Sequence, residues 1–344
     1  MAANRPGIVP QGYKAMSLNA FVTGASGFVG SNLVRELHRQ GWNVSIFARP
    51  TSSLDDIRDV PVAVHLGDLA DADSVARALP QHTDAVFHVA ASTNVWSRNN
   101  AEQSRINIAG TRSVIEAAVR KNAGRLVHTS SFTTWGLQDG LLNEHSPRTN
   151  ATDWINYVRT KHIAQLMVKE AVDQGRLDAV ILCPAHILGP GDRHNWSTML
   201  RMVHRGKLPG VPPGGGSFAD VREVAKAHIA AFSLGAKGES YLLGGEDATF
   251  LELVKLAGEL LGKPVPARVT PGWILRSAAG IKTLLAKLTG KEPDITPESA
   301  VMIIHHIYCD SSRACRELGY RSTPIRPLLQ DTIDWLWKAG IMNS

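Results

Sequence analysis

The sequence predicts an α/β protein, with a doubly wound parallel sheet followed by a smaller, mainly helical C-terminal region. Two observations predict this class. Over the first 190 residues, short apolar runs of strand length alternate with helical patterns, an order typical of a parallel sheet covered by helices on both faces. A glycine-rich turn also joins the first apolar run to the first helical pattern.

Each element has its own signal. Strands are predicted where short runs are rich in β-branched and aromatic residues, at 18–23, 43–48, 85–91, 125–130 and 178–184. Helices are predicted from apolar periodicity, at 28–41, where Gly41 ends the pattern, and at 72–79, 101–122 and 155–174. Further along, dense proline and glycine predict a loop at 209–218, followed by a helix at 220–235 and a strand at 239–245.

Composition excludes several classes of protein. Hydrophobic residues make up 44% of the 344 residues and charged residues 20%, which is ordinary for a globular protein and not for a disordered, collagen-like or disulfide-rich chain. The formal net charge of +6 is spread along the chain without a block of like charges. It favours an anionic ligand but does not indicate nucleic acid as a partner.

The cysteines and the N-terminus bear on location. Cys183, Cys309 and Cys315 are few, and their spacing matches neither a zinc site nor a redox motif. They predict a reducing, cytoplasmic location. Residues 1–17 lack the apolar core of a signal peptide and are predicted to be a mobile leader. We predict no metal site, because the adjacent histidines at 305–306 lie in a β-like run and would point to opposite faces.

The turn at 23–30 reads TGASGFVG and lies between a predicted strand and a predicted helix, the context that makes such a motif specific. Gly24 permits the tight turn, Gly27 lets a pyrophosphate approach the backbone, and Gly30 permits close contact of helix and sheet. The helix N-terminus offers free N–H groups and a positive dipole. The turn predicts a dinucleotide site, against the alternative of a glycine turn without a ligand; its predicted members are Gly24, Ser26, Gly27, Phe28, Val29 and Gly30.

The end of the second strand predicts which dinucleotide binds. A carboxylate for the adenosine ribose is expected there, but residues 45–49 contain none and end in Arg49. A guanidinium suits a 2′-phosphate. The sequence therefore predicts NADP(H) over NAD(H), with the alternative that Arg49 only covers the surface.

A candidate catalytic pair lies on the helix predicted at 155–174. Tyr157 and Lys161 are four residues apart, so they share one face of the helix. A neighbouring ammonium lowers the pKa of a phenol, which can then exchange a proton in carbonyl–alcohol chemistry. Without the glycine turn, an exposed pair without function would be the simpler interpretation.

Together these motifs make the chain similar to the extended short-chain dehydrogenases/reductases of the NAD-dependent epimerase/dehydratase superfamily, over residues 18–335. The matching residues are 23–30, 67–69, 88–91, Asn107 with 110–111, 129–131, Tyr157 with Lys161, 184 with 189–191, 220–225 and 241–245. Within it, the chain resembles the dihydroflavonol-reductase and 3β-hydroxysteroid-dehydrogenase branch, through 49–53, 227–229, 318–320 and Trp335.

The resemblance implies roles for single residues. Tyr157 would be the general acid, Lys161 would hold the nicotinamide ribose and tune Tyr157, and Ser131 would hold the substrate carbonyl, with Ser130 as the alternative. Asn107 would support them, or be structural. The remaining implied cofactor contacts are Asp68 and Leu69 at the adenine, Ala90 and Ala91 between adenosine and nicotinamide, and Pro184 and Ile187 at the carboxamide.

The resemblance also narrows the reaction. Dehydratases of the superfamily carry two carboxyl groups where this chain has Ser131-Phe132-Thr133. Enzymes acting on nucleotide sugars usually carry an Arg-Asp pair where this chain has Gly216-Ser217, and an asparagine at the position of His186. Three arginines could replace these missing ligands of the diphosphate: Arg193, Arg201 and Arg205. We therefore expect an NADPH-dependent ketone reductase, with a nucleotide-sugar epimerase and a non-catalytic NADP(H)-sensing protein as alternatives.

The expected substrate is a bulky, largely apolar ketone or alcohol. Aromatic walls for it, or simple core packing, are expected from Trp154, Trp196, Phe218 and Trp273. Residues 272–291 read as a basic amphipathic helix, or two helices broken at Gly280. It is interpreted as packing on the pocket, with a peripheral membrane contact as the alternative.

The predicted domains follow from the resemblance. An NADP-binding Rossmann domain would comprise 18–192 with 218–260, and a substrate-binding domain 193–217 with 261–344. The family also implies a homodimer through two exposed helices, one of them carrying Tyr157.

Overall fold

The computed structural model describes residues 17–343. Most of the predicted leader at 1–17 lies outside the described residues. The strands are β1 Asn19–Thr23, β2 Asn43–Ala48, β3 Ala63–Leu66, β4 Ala85–His88, β5 Arg125–Thr129, β6 Gly140–Leu142, β7 Ala179–Pro184, β8 His186–Leu188, β9 Gly215–Asp220, β10 Ser240–Leu243, β11 Glu246–Thr249 and β12 His306–Cys309. The α-helices are α1 Phe28–Arg39, α2 Ala72–Ala78, α3 Asn100–Ser104, α4 Gly110–Arg120, α5 Asn156–Asp173, α6 Trp196–His204, α7 Val221–Leu234, α8 Phe250–Leu261, α9 Gly272–Thr289, α10 Pro297–Met302, α11 Ser312–Leu318 and α12 Ile325–Lys338.

Seven strands form one parallel sheet in the order β10-β7-β5-β4-β1-β2-β3. Its inner strands are apolar and buried because helices cover both faces. The strand order reverses between β1 and β4, and in open sheets of this kind ligands bind at the carboxyl ends of the strands beside such a switch point. The predicted doubly wound parallel sheet is confirmed. The edge strand β3 was not predicted, because its sequence has too few apolar residues to indicate a strand.

A smaller sheet corrects the loop predicted at 209–218. Residues 215–220 form β9, which pairs with β8, β11 and β12. A Cβ on Gly215 would lie 2.8 Å from the Ala248 carbonyl oxygen, and one on Gly216 would lie 2.5 Å from the His186 ring. These glycines therefore allow neighbouring groups to pack closely against β9. A glycine-rich sequence alone does not show whether the glycines serve close packing or form a turn.

The C-terminal part is mainly helical. Helices α6, α8 and α12 share an apolar core, whereas α11 packs on the α7 side of the large sheet. The β-like run at 302–309 is a strand only from His306 onwards, because Met302 ends α10. The predicted domain boundaries stay predictions. Among the described residues, no helix has the length and hydropathy needed to cross a membrane.

Candidate functional site

A cavity of about 730 Å³ opens at the carboxyl ends of the sheet strands. It brings together all the predicted cofactor-binding and catalytic residues, which come from seven separate stretches of the chain. Its lining includes Gly24, Ser26, Gly27, Phe28, Val29, Gly30, Arg49, Asp68, Leu69, Ala90, Ala91, Ser131, Tyr157, Lys161, Pro184 and Ile187.

The glycine turn has the geometry of a phosphate-binding loop. Gly24 has a φ of +76°, and a Cβ there would lie 2.6 Å from the Ala90 nitrogen. A Cβ on Gly30 would lie 2.0 Å from the Gly24 carbonyl oxygen. A Cβ on Gly27 would lie 3.3 Å from the same oxygen and near no other atom, so the absence of a side chain there leaves room on the cavity side. Among the described residues no side chain caps α1 and no acid lies in its first turn, so its N-terminus fits a pyrophosphate.

Three charged side chains, Arg49, Asp68 and Arg105, line one end of the cavity, and Glu102 pairs with Arg105 outside the lining. The Asp68 carboxylate accepts hydrogen bonds from the Ala70 amide at 2.9 Å and from Arg105 Nη1 at 2.6 Å. Arg105 also donates to both carboxylate oxygens of Glu102 at 2.7 Å. The Ala70 amide, then Arg105, then the charge of Arg49 lower the pKa of Asp68. This end of the cavity therefore holds the ionised carboxylate of Asp68 and the exposed guanidinium of Arg49.

Arg105 lines the cavity but was not predicted from the sequence. It lies 37 residues from Asp68 in the chain, in a π-helical turn at Arg105–Ala109 that joins α3 to α4. Such turns occur often at functional sites, but the helical pattern over 101–122 gives no sign of one. Several uncharged residues that were not predicted for the site also line the cavity, namely Ser52, Ser92, Thr93, Val95, Ile106, Asn195 and Met302.

Lys161 and Tyr157 of α5 both line the cavity. Lys161 is buried, and its Nζ donates a hydrogen bond to the Thr129 carbonyl oxygen at 2.7 Å. Burial disfavours an ammonium and lowers the pKa of Lys161 to about 8. The pKa of Lys161 is therefore much closer to neutral pH than that of an ordinary lysine.

The predicted lowering of the pKa of Tyr157 is wrong for this structure. Burial raises the pKa of the phenol, and the opposing influence comes from the nearby Ser131 side chain, not from the charge of Lys161. The Ser131 oxygen also accepts hydrogen bonds from the amide and the hydroxyl of Thr133, at 3.2 and 2.9 Å. The alternative, Ser130, donates its proton to Gln165 at 2.6 Å, so Ser131 is the serine whose side chain lies near the phenol.

Aromatic rings surround His186 beyond Ser131. Its ring centroid lies 5.3 Å from that of Phe132 and 5.4 Å from that of Trp196, both edge to face, and all three residues line the cavity. Burial lowers the pKa of His186 to about 4, so the imidazole is neutral at pH 7. This end of the cavity is thus aromatic and uncharged.

The other expected aromatic walls are absent from the lining. Trp154 and Trp273 are exposed, by 51% and 71%, and Phe218 is buried in the core shared by α6 and α8. Asn107 holds the Ser92 backbone and the Thr160 hydroxyl, and it does not line the cavity. Its observed contacts are therefore those of a structural residue.

The arginines left open as diphosphate ligands point elsewhere. Arg193 donates to Asp56 at 2.7 Å and lies over the Trp335 ring. Arg201 donates to the Arg193 carbonyl oxygen and to Thr198. Neither these two nor Arg205 belongs to the cavity lining among the described residues.

Comparisons with known proteins agree with this geometry. The model of the NAD dependent epimerase/dehydratase family matches residues 20–244. A putative dihydroflavonol 4-reductase of Synechocystis sp. is 30% identical over 96% of this chain and 98% of its own. Sterol demethylase protein B of Methylococcus capsulatus is 32% identical over 94% of this chain and 100% of its own.

Solved structures show the same fold. The crystal structure of gox2253 is 29% identical, with a TM-score of 0.80 over 94% of this chain and 99% of that one. UDP-glucose 4-epimerase of Thermotoga maritima is 19% identical, with a TM-score of 0.77 over 94% and 99%. By its fold, its glycine turn and these matches, the chain belongs to the NAD dependent epimerase/dehydratase family of extended short-chain dehydrogenases/reductases, and it is an NAD(P)-dependent oxidoreductase.

Proposed function

We propose that this enzyme uses NADPH to reduce a ketone on a bulky, largely apolar substrate, or oxidises the alcohol in reverse. One observation carries the proposal. Beside Ser131 and Tyr157 the cavity is walled by Phe132, neutral His186 and Trp196, and its charged side chains at the opposite end suit a nucleotide. A sugar-nucleotide diphosphate would need cations at the substrate end. Relatives named as a dihydroflavonol reductase, a 2-alkyl-3-oxoalkanoate reductase and a 3-beta-hydroxysteroid dehydrogenase add support.

The proposed roles follow from the contacts. When bound, the dinucleotide supplies hydride chemistry at its nicotinamide. Ser131 and Tyr157 together hold the substrate oxygen, and the Tyr157 hydroxyl gives it a proton. The raised pKa of Tyr157 keeps that proton in place at neutral pH, which is the form that reduction requires. Lys161, anchored on the Thr129 carbonyl, holds the nicotinamide ribose.

The test is a substrate screen that follows the loss of NADPH absorbance. Ketosteroids, flavonoid ketones, β-keto acids and simple aldehydes are offered to the enzyme, and UDP-glucose epimerisation is assayed in parallel. We expect turnover of at least one bulky ketone and none of the sugar nucleotide. Epimerisation without net NADPH consumption would contradict the proposal, and cofactor binding without any turnover would favour the sensing alternative.

A preference for NADP(H) is part of the same proposal. Arg49 lines the cavity just after β2 ends. It is close enough to Asp68 and Glu102 for its charge to lower the pKa of both carboxyl groups. We expect Arg49→Ala to weaken NADP⁺ binding by roughly tenfold, because a charge-assisted contact to the 2′-phosphate is lost, and to leave NAD⁺ binding unchanged. Both dissociation constants are measured by calorimetry.

Arg58→Ala provides the matched control, since Arg58 is an exposed arginine outside the cavity lining. It is expected to bind both dinucleotides as the parent does. Equal affinity of the parent for NADP⁺ and NAD⁺ would contradict the preference without affecting the reductase proposal. The homodimer and the cytoplasmic location stay predictions.

A further inference from the structure

Helix α9 presents its large apolar side chains to solvent. It is one continuous helix of 18 residues, with no break at Gly280. Its exposed large apolar residues are Trp273 (71%), Ile274 (39%), Ile281 (63%), Leu284 (63%), Leu285 (53%) and Leu288 (83%). This is a contiguous set, whereas singly scattered apolar residues are normal on a protein surface.

The same helix packs on the protein through small residues. Its two fully buried residues are Ala279 and Ala286. With about 100° between successive residues, these two lie on one side of the helix and Leu288 lies on the opposite side. The usual arrangement, in which large apolar residues face the core, is therefore inverted.

Cations border the apolar face on both sides. On the same helical projection, Arg276 and Lys287 lie along one edge, and Lys282, which pairs with the exposed Asp294 at 3.0 Å, lies along the other. Residues 272–291 contain four basic residues and no acidic ones. A helix that lies in a membrane interface and contacts anionic headgroups has this pattern, with apolar residues facing outward and cations at the edges of the apolar face.

The segment that follows α9 contacts the lining of the cavity. The Gly290 carbonyl oxygen accepts a hydrogen bond from Arg98, at 3.4 Å. Thr296 donates to the carbonyl oxygen of Val95, at 3.3 Å. Val95 lines the cavity, as does Met302 at the end of α10, the helix on which α9 packs. Helix α9 is therefore connected, through this segment and through α10, to two residues of the cavity lining.

We propose that α9 docks this enzyme on anionic membrane surfaces, with its apolar face buried among the lipid chains. The docking rests on the helix alone. The further step, in which an apolar substrate passes from the bilayer into the cavity, also rests on the proposed function.

The test is co-sedimentation with vesicles of phosphatidylcholine, with and without phosphatidylglycerol. The parent is expected to bind the anionic vesicles, and high salt to weaken that binding. Leu284→Glu with Leu288→Glu is expected to weaken it by roughly tenfold or more, because charges enter the face that meets the acyl chains. Lys282→Glu with Lys287→Glu is expected to act by a similar factor through lost headgroup attraction.

Leu234→Glu is the matched control, since Leu234 is a leucine of like exposure (61%) at the end of α7. It is expected to bind vesicles as the parent does, and all variants are expected to keep the thermal midpoint of the parent. A parent that does not sediment would overturn the proposal. So would leucine variants that bind normally, or that only convert a dimer into a monomer, because a second copy would then cover the face. Vesicle binding without any ketone turnover would leave the docking intact and contradict the proposed function.

Discussion

Replacing Tyr157 by phenylalanine is expected to lower kcat at least about a hundredfold, the range typical of a lost general acid. The phenol is half-buried, it lines the cavity, and it lies near the Ser131 side chain. The substitution removes one oxygen and keeps the ring, so the dissociation constant for NADP⁺ is expected to stay within about twofold of the parent. Steady-state kinetics on the ketone found in the screen and calorimetry with NADP⁺ measure the two effects.

Tyr308→Phe is the matched control, because Tyr308 lies on β12 outside the cavity lining. It is expected to keep the kcat of the parent. A Tyr157→Phe enzyme with more than about a tenth of the parental kcat would contradict the role of the phenol, and the proton would then have to come from another donor.

Replacing Lys161 by methionine is expected to change both activity and the pH dependence of stability. The variant should lose most of its turnover, since the group proposed to hold the ribose is gone. For stability, burial lowers the pKa of Lys161 from 10.5 to about 8. Between these values the unfolded chain binds a proton that the folded enzyme does not, so the free energy of unfolding of the parent rises with pH, by about 3 kcal/mol across that window. The variant lacks this contribution.

The comparison is the difference in free energy of unfolding between parent and variant, from urea denaturation below and above the window. Other titrating groups cancel in that difference. A difference that does not change with pH would contradict the lowered pKa. Lys169→Met, on the same helix but outside the cavity lining, is expected to keep parental turnover.

Much of the site was predictable because its signals are local. The turn at 23–30 combines a φ of +76° at Gly24 with a contact of 2.0 Å that any Cβ on Gly30 would make. Only glycine suits such positions, so the backbone geometry is written in the residue type. Tyr157 and Lys161 are likewise brought together by the pitch of one helix.

The wrong predictions concern contacts between distant parts of the chain. The lowered pKa of Tyr157 presumed that Lys161 acts on the phenol, but the lysine lies against Thr129 and burial outweighs the remaining influence. Gly215 and Gly216 signal a loop by composition, yet they belong to β9, where a neighbouring strand and the His186 ring leave no room for side chains.

The sequence by itself determined the parallel α/β class, the phosphate-binding turn and the Tyr157–Lys161 pair, since each depends on residues a few positions apart. Only the tertiary structure decided what the remaining charges and apolar residues do. It pairs Arg193 with Asp56, away from the cavity, and Arg105 with Asp68. It also turns the large residues of α9 outward. An amphipathic pattern shows that a helix has two faces, but which face is buried depends on the surface it packs against.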